Sequence, residues 1–189
     1  MNEAVVPRAG TWPRGPFATI AIGVAVVVAL NLLAANVALP PLPEPLRLGP
    51  MLRVGIVVPI FFGVRFGPLV GFCVGAIGTL ISDIATFGFF WNWEIGVGLV
   101  GAVAGSSTVM AGSLREGWWV YLATEIVRGA VAIIVGTGFA TLTDVGVANL
   151  GWNDAISAEW IPTALYNLAW GVPLATMVNS AWWAARRRR

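Results

Sequence analysis

The stretch FATIAIGVAVVVALNLLAANVAL, residues 17–39, decides the class of fold because it is apolar and carries no charged residue. A helix needs about 20 apolar residues to cross the roughly 30 Å hydrocarbon core of a bilayer. Arg8 and Arg14 precede the stretch, as in a secretory signal peptide. The apolar run is too long for such a peptide, and Pro40 and Pro41 occupy the expected cleavage site. We therefore interpret it as a first membrane-spanning helix.

The composition extends this interpretation to the whole chain of 189 residues. Hydrophobic residues make up 58% and charged residues only 11%, whereas a soluble domain carries about 25% charged residues. The mean hydropathy of +0.82 agrees. The absence of histidine and the single Cys73 exclude Ser-His-Asp and Cys-His catalytic sites and leave no common zinc, haem or copper ligand set. We predict an integral membrane protein that is not an enzyme and needs no cofactor.

Five further apolar segments follow the first, separated by prolines, glycines and polar residues. We predict an all-α, polytopic membrane protein, a bundle of six transmembrane helices at residues 17–39, 51–64, 66–87, 95–112, 118–142 and 160–185. The predicted domains are a cytoplasmic N-terminal tail at 1–16, a six-helix membrane domain at 17–185 and a cytoplasmic arginine tail at 186–189.

Arginine placement predicts the orientation of this bundle, because cytoplasmic loops carry an excess of basic residues. Six spans put both termini on one side. That side holds most of the arginines, namely Arg8, Arg14, Arg65, Arg115 and the four at 186–189. Only Arg47 and Arg53 fall on the other side, so both termini should be cytoplasmic. A proline-rich loop at 40–50, an aromatic connector at 89–94 and a polar loop at 143–159 then face outside.

Small residues recur at every fourth position on three of the predicted helices. In a membrane such stripes allow two helix backbones to approach closely. We expect the glycine stripes to pack inside the bundle: Gly67, Gly71 and Gly75 on the third helix, and Gly101 and Gly105 on the fourth. The alanine stripe Ala21, Ala25 and Ala29 on the first helix fits either internal packing or a docking face for another membrane protein.

Ionisable residues within membrane helices are costly and point to function by default. Asp83 lies near the end of the third helix, where it either caps the helix or serves a site. Glu125 and Arg128 are three residues apart and share a helix face. They form either a structural ion pair or the polar floor of a substrate cavity that opens outward.

The aromatic connector has two possible functions. Trp91 and Trp93 flank Asn92 and precede Glu94. Tryptophan anchors helices at the membrane interface, but an aromatic pair beside an amide and a carboxylate also fits a flat ring, and a cationic ring gains cation–π attraction. Both interpretations stay open.

The sixth predicted helix supplies a second group of candidate binding residues. Trp160, Asn167 and Trp170 share a broad helix face, and an amide such as Asn167 needs a partner in hydrocarbon. In the preceding loop, Trp152, Asn153 and Asp154 form either a solvated segment or a lid over a site.

Residues 54–105 combine these features in a characteristic order. A Phe-Gly-Pro turn at 66–68 precedes a helix striped with glycines, including Gly78; Asp83 ends it, and the aromatic connector leads into a second glycine-rich helix. This ordered set resembles the substrate-binding S components of energy-coupling factor (ECF) transporters. Within that family, SDIATFGFFWNWEIG at 82–96 is most similar to members associated with thiamine or its pyrimidine precursor.

The resemblance implies a small six-helix protein in the plasma or inner membrane of a prokaryote. It would bind a vitamin-like small molecule from outside and associate with a membrane coupling protein and two cytoplasmic ATPases. The chain has no GxxxxGK[ST] phosphate loop, so we expect it not to hydrolyse ATP. An AxxxA stripe on the first helix contacts the coupling protein in that family, and Ala21, Ala25 and Ala29 match it by position.

The candidate substrate-binding residues combine the family pattern with the two charged residues of the fifth helix. They are Trp91, Trp93, Glu94, Glu125, Arg128, Asn153, Trp160, Tyr166 and Asn167. One rival is a membrane scaffold or assembly protein with a similar six-helix body and no ligand. The other is an intramembrane enzyme using Asp83, Glu125 and Asp154, for which no nucleophile–base pair is visible.

Overall fold

The computed structural model describes residues 15–36, 54–106 and 117–187, and every regular element in these ranges is helical. The helices are α1 (Pro16–Asn36), α2 (Val57–Phe66), α3 (Pro68–Thr86), α4 (Trp91–Ser106), α5 (Trp118–Val147) and α6 (residues 152–187). Three segments are long and apolar enough to cross a membrane: Pro16–Ala34, Pro68–Thr86 and Trp118–Val147. The all-α fold is confirmed within these ranges, whereas six spans and cytoplasmic termini stay predictions.

Several predicted features fall outside the described residues. They are the proline-rich loop at 40–50, the loop around Arg115 and the ends of both predicted tails.

The Phe-Gly-Pro sequence forms the tight turn between α2 and α3. Gly67 has φ = +100°, a conformation that side chains with a Cβ rarely adopt, and Pro68 begins α3. Gly67 therefore serves the turn, and nothing lies within 4 Å of where its Cβ would be. Pro59 lies in the first turn of α2, where its missing N–H costs little, so the expected short second helix forms behind a 3₁₀ turn at Val54–Ile56.

Glycines bring the central helices into backbone contact, as predicted for Gly71, Gly75, Gly101 and Gly105; the prediction was wrong for Gly67, which lies in the turn. A Cβ on Gly71 of α3 would lie 2.5 Å from the carbonyl oxygen of Gly101 on α4. Gly63 of α2 meets the same carbonyl, and Gly96 of α4 meets the backbone of Gly136 on α5 at 2.7 Å. Helix α4 is therefore the centre of the bundle, with α2, α3 and α5 packed around it.

Helix α6 contains two π turns, at Ala155–Trp160 and Asn167–Gly171. Each π turn ends two residues before a proline, Pro162 or Pro173. A proline inside a helix lacks the N–H donor and its ring crowds the preceding turn, and a local widening of the helix relieves both effects. The widened turns shift the side chains on α6 out of the regular helical repeat.

Two predicted loops are wrong in extent. The aromatic connector comprises only residues 87–90, because α4 already begins at Trp91. Glu94 stabilises this start of the helix by accepting a hydrogen bond from the backbone N–H of Phe90 at 3.0 Å. The polar loop at 143–159 is only residues 148–151. Helix α5 continues to Val147 because Asp144 is hydrogen-bonded to α4, and α6 begins at Trp152.

Candidate functional site

A small cavity lies between the middle of the bundle and the end where α4 begins and α5 ends. Its walls come from α4, α5 and α6, with one residue ahead of α2: Ile56, Trp93, Gly96, Val97, Val100, Gly136, Thr137, Thr163 and Asn167. The cavity volume is about 10 Å³, measured as the space open to the centre of a water molecule. This is enough for about one water molecule. A larger solute would therefore enter only if these helices or their side chains move apart.

Most of this lining is apolar, and its few polar groups come from three helices. Asn167 Nδ2 donates to the carbonyl oxygen of Thr163 at 2.8 Å, and Thr137 Oγ1 donates to that of Ile133 at 2.7 Å. Thr163 is only 3% exposed, and its own hydroxyl has no hydrogen-bond partner within the described residues. An apolar pocket with a few polar groups is the usual form of a small-molecule site.

A polar cluster lies next to the cavity, on the other side of Trp93. It occupies the end of the bundle where α3 and α5 end and α4 and α6 begin. Trp93 Nε1 donates to Asp144 Oδ2 at 2.9 Å, and Asn92 Nδ2 donates to Asp144 Oδ1 at 2.8 Å. Glu159 of α6 interacts with both Asp144 and Trp93. The cluster therefore ties α4, α5 and α6 together around one carboxyl pair.

Glu159 precedes the predicted sixth span at 160–185 and lies outside the three long apolar segments. Burial raises its pKa from 4.5 to about 8, and its hydrogen bond and charge repulsion with Asp144 act in the same direction. Trp93 opposes the shift by donating to the carboxylate. At neutral pH, Glu159 is therefore mainly protonated.

A second polar cluster lies at the opposite end of α5. Arg65, at the end of α2, donates to Asn179 Oδ1 at 2.9 Å and to Tyr121 Oη at 3.1 Å. Glu125 and Arg128 pair with each other at 2.9 Å, and both are largely buried. None of these residues lines the cavity. This geometry fits the structural ion pair that the three-residue spacing left open.

A family model described as "ECF-type riboflavin transporter, S component" matches residues 16–181. The chain belongs to this family. A UPF0397 protein of Vibrio atlanticus (strain LGP32) is 42% identical over 60 residues, which make up 31% of this chain and 33% of that relative. The match thus spans about a third of the relative's length. No solved structure matches significantly.

This S component brings two of the predicted binding residues into one cavity, since Trp93 and Asn167 are far apart in sequence and both line it. Trp160 does not line the cavity and packs against α5, with its Nε1 3.5 Å from where a Cβ of Gly138 would be. The remaining candidates lie elsewhere: Trp91 and Asn153 are exposed, Tyr166 is partly buried, and Glu94 is buried at the start of α4.

The alanine stripe of the S component lies away from its neighbours. Ala21, Ala25 and Ala29 are exposed, whereas Thr19, Gly23 and Val27 on the other face of α1 are buried. Gly23 meets Phe62 and Val74, and Gly78 of α3 meets Val27. The alanines are therefore not used for packing among the described helices of this chain.

Sequence reasoning did not select several residues of the site: Thr137, Asp144, Glu159 and Thr163. A helical repeat would have found two of them, because Thr137 and Asp144 are seven residues apart and share a face of α5. Thr163 gave no such signal, because a lone threonine in an apolar helix is unremarkable in sequence.

Within the described ranges, no three His, Cys, Asp or Glu side chains are grouped so as to hold a metal ion.

Proposed function

We propose that this S component is the membrane-embedded, substrate-binding subunit for uptake of a vitamin-like heteroaromatic solute. The observation that carries the proposal is the joint lining of one cavity by Trp93 and Asn167, which come from α4 and α6. The indole of Trp93 offers a face for stacking, and the amide and the Thr163 hydroxyl offer hydrogen bonds to a ring edge. Glu125 and Arg128 pair with each other within α5 and do not line the cavity.

Two substrates fit this description. The family name points to riboflavin, a flat, uncharged ring system with a polyhydroxyl chain. The sequence at 82–96 points to thiamine or its pyrimidine precursor, and the carboxyl pair beside Trp93 supports a substrate with a positive charge or an amino group. Both kinds of ring stack on an indole, so the test must include both.

Energy for uptake would come from a separate module, made of an ECF transmembrane coupling protein and two cytoplasmic ATPases. The exposed stripe of Ala21, Ala25 and Ala29 is the proposed docking face for the coupling protein, because small residues let a partner helix approach closely. The protein would span the plasma or inner membrane of a prokaryote six times with both termini in the cytoplasm. The wide exposed apolar surface of residues such as Phe17, Leu33 and Leu69 supports a lipid environment.

The alternative of a non-transport scaffold is less favoured. The match of residues 16–181 to a family of transporter S components favours a solute-binding subunit over a scaffold. The test is calorimetric titration of the purified chain in lipid nanodiscs with riboflavin, thiamine and the thiamine pyrimidine. Saturable binding of one of them supports a solute-binding subunit. If folded protein binds none of the three, the proposal of vitamin uptake fails.

A further inference from the structure

The cavity is too small for a vitamin-sized solute, so at least one of its walls must move when such a solute binds. The walls come mainly from α4, α5 and α6, and the space between them holds about one water molecule. Pockets for drug-sized ligands have volumes of roughly 300 Å³ or more. The packing of the three helices determines which wall can move.

Helices α4 and α5 are held together by direct backbone contact at the cavity. Gly96 and Gly136 both line it, and a Cβ on Gly96 would lie 2.7 Å from the carbonyl oxygen of Gly136. Asn92 of α4 adds a hydrogen bond from Nδ2 to the carbonyl oxygen of Ala140 on α5, at 3.0 Å. Separating these two helices would break both kinds of contact, so they form the fixed side of the cavity.

The last part of α6, Val172–Arg187, is also held in place. Val172 and Ala175 belong to the hydrophobic core that α6 shares with α2, α4 and α5. Asn179 is completely buried, and its Oδ1 accepts a hydrogen bond from Arg65 Nε of α2 at 2.9 Å. This part of α6 therefore serves as an anchor.

The middle of α6, Ile161–Tyr166, is packed differently. Its buried side chains are Thr163 and Ala164, and neither belongs to a hydrophobic core cluster among the described residues. Ile161 and Leu165 are exposed, at 44% and 58%. Segments with few buried apolar contacts open at the lowest cost in free energy. Of the three helical walls, this segment is therefore the one that can move most easily.

A π turn bounds this segment on each side, at Ala155–Trp160 and Asn167–Gly171. A π turn contains one residue more than an α turn, and such turns are frequent at functional sites. The extra backbone can be taken up or released while the ends of α6 stay in place. Pro162 and Pro173 have no N–H, so fewer backbone hydrogen bonds oppose a change at either turn.

We propose that Ile161–Tyr166 is a hinged gate, which moves away from α4 and α5 at the two π turns and opens the cavity to a solute. The proposal rests on the proposed function, because only solute entry requires the cavity to enlarge. Thr163 lies on the gate and Asn167 begins the second hinge, whereas Trp93 belongs to the fixed side. Movement of the gate therefore changes the distance between opposite walls of the cavity.

The direct test measures distances between pairs of spin labels by electron paramagnetic resonance, on the full chain in nanodiscs, with Cys73 replaced by serine. One label is at Ile84→Cys on α3, and the second is at Leu165→Cys on the gate, Met177→Cys on the anchor or Ile134→Cys on α5. All four positions are exposed. On saturation with riboflavin or thiamine, we expect the distance to Leu165 to change by more than about 2 Å, as in a segment rearrangement. The other two distances should stay the same.

If calorimetry shows that a vitamin binds and the distance to Leu165 stays constant, or the distance to Ile134 changes as much, the gate is overturned and the uptake function is left intact. If neither vitamin binds folded protein, the uptake function fails, and a thiol-modification experiment on the solute-free chain decides the gate separately.

This second experiment compares Thr163→Cys with Thr176→Cys, since both threonines are buried on α6 and only Thr163 lies between the hinges. The probe is a small methanethiosulfonate reagent, again with Cys73 replaced by serine. Modification follows the population of the open form, so we expect Thr163→Cys to react at least about tenfold faster. Equal rates overturn the gate.

Discussion

The indole N–H of Trp93 donates to Asp144 Oδ2 at 2.9 Å, and this bond joins the first turn of α4 to the last turns of α5. Asn92 donates to the same carboxylate at 2.8 Å. Hydrogen bonds to a charged group contribute about 1.5–3 kcal/mol each. The bond fixes one wall of the cavity, since Trp93 lies between the carboxyl cluster and the cavity.

Removing this bond should loosen the site. We expect Trp93→Phe to lower the midpoint of thermal unfolding in detergent, because a smaller aromatic ring remains while the donor to Asp144 is lost, at a cost of about 1.5–3 kcal/mol. Trp91→Phe is the matched control, since Trp91 is 40% exposed two residues earlier on the same helix. Equal effects of the two substitutions would show that the bond to Asp144 does not stabilise the fold.

Backbone contact at Gly101 should tolerate no methyl group. Gly101→Ala would push a Cβ into the backbone of Gly71, and overpacking of this kind costs about 1–3 kcal/mol. Gly146→Ala on α5 is the control, because nothing lies within 4 Å of its Cβ position. We expect Gly101→Ala to lower the thermal midpoint and Gly146→Ala to leave it unchanged or slightly higher. Similar midpoints for both variants would contradict the close approach of α3 and α4.

Stability should depend on pH through Glu159. Its pKa is raised to about 8 in the folded protein from 4.5, so between these values the folded chain holds a proton that the unfolded chain has released. Raising the pH therefore favours unfolding across this window, and the lost stability is fully present only below it. We expect the thermal midpoint to fall as pH rises toward about 8.

The same titration on Glu159→Gln provides the check, because an amide keeps a neutral side chain at every pH. Its midpoint should change less with pH than that of the unmodified chain. Parallel curves for the two proteins would show that Glu159 does not carry the proton.

The pair of Glu125 and Arg128 should matter for stability and not for solute binding. Breaking a buried ion pair leaves an uncompensated charge and costs about 3–5 kcal/mol, so Glu125→Gln and Arg128→Gln should each lower the thermal midpoint, and the double variant should lose less than the sum. Arg128 is eight residues from Gly136 in the cavity wall, about 12 Å along α5. A stable double variant should bind solute normally, and lost affinity would place the pair in the site.

The sequence predicted the parts of the fold that depend on local chemistry. The apolar lengths of α1 and α3, the turn at Gly67 and the glycine contacts between α3 and α4 all follow from residue type and spacing. The end of α5 did not, because Asp144 looks like a loop residue until Asn92 and Trp93 of α4 are seen to bond it. Tertiary partners satisfy that carboxylate in place of water, and no local pattern reports them.

The candidate site was predictable only in part for a similar reason. Trp93 and Asn167 stand out in the sequence because such residues are unusual in apolar helices, whereas Thr163 is distinguished only by its place in the cavity lining.

The measurement that most directly tests the location of the solute is the affinity of Thr163→Val compared with Thr176→Val. Both threonines lie on α6, both are buried with hydroxyls unpartnered within the described residues, and only Thr163 lines the cavity. For the vitamin that binds the unmodified chain, we expect Thr163→Val to raise Kd about tenfold, the equivalent of one lost hydrogen bond, and Thr176→Val to leave it unchanged. Equal Kd values for the two variants would contradict solute binding between α4, α5 and α6.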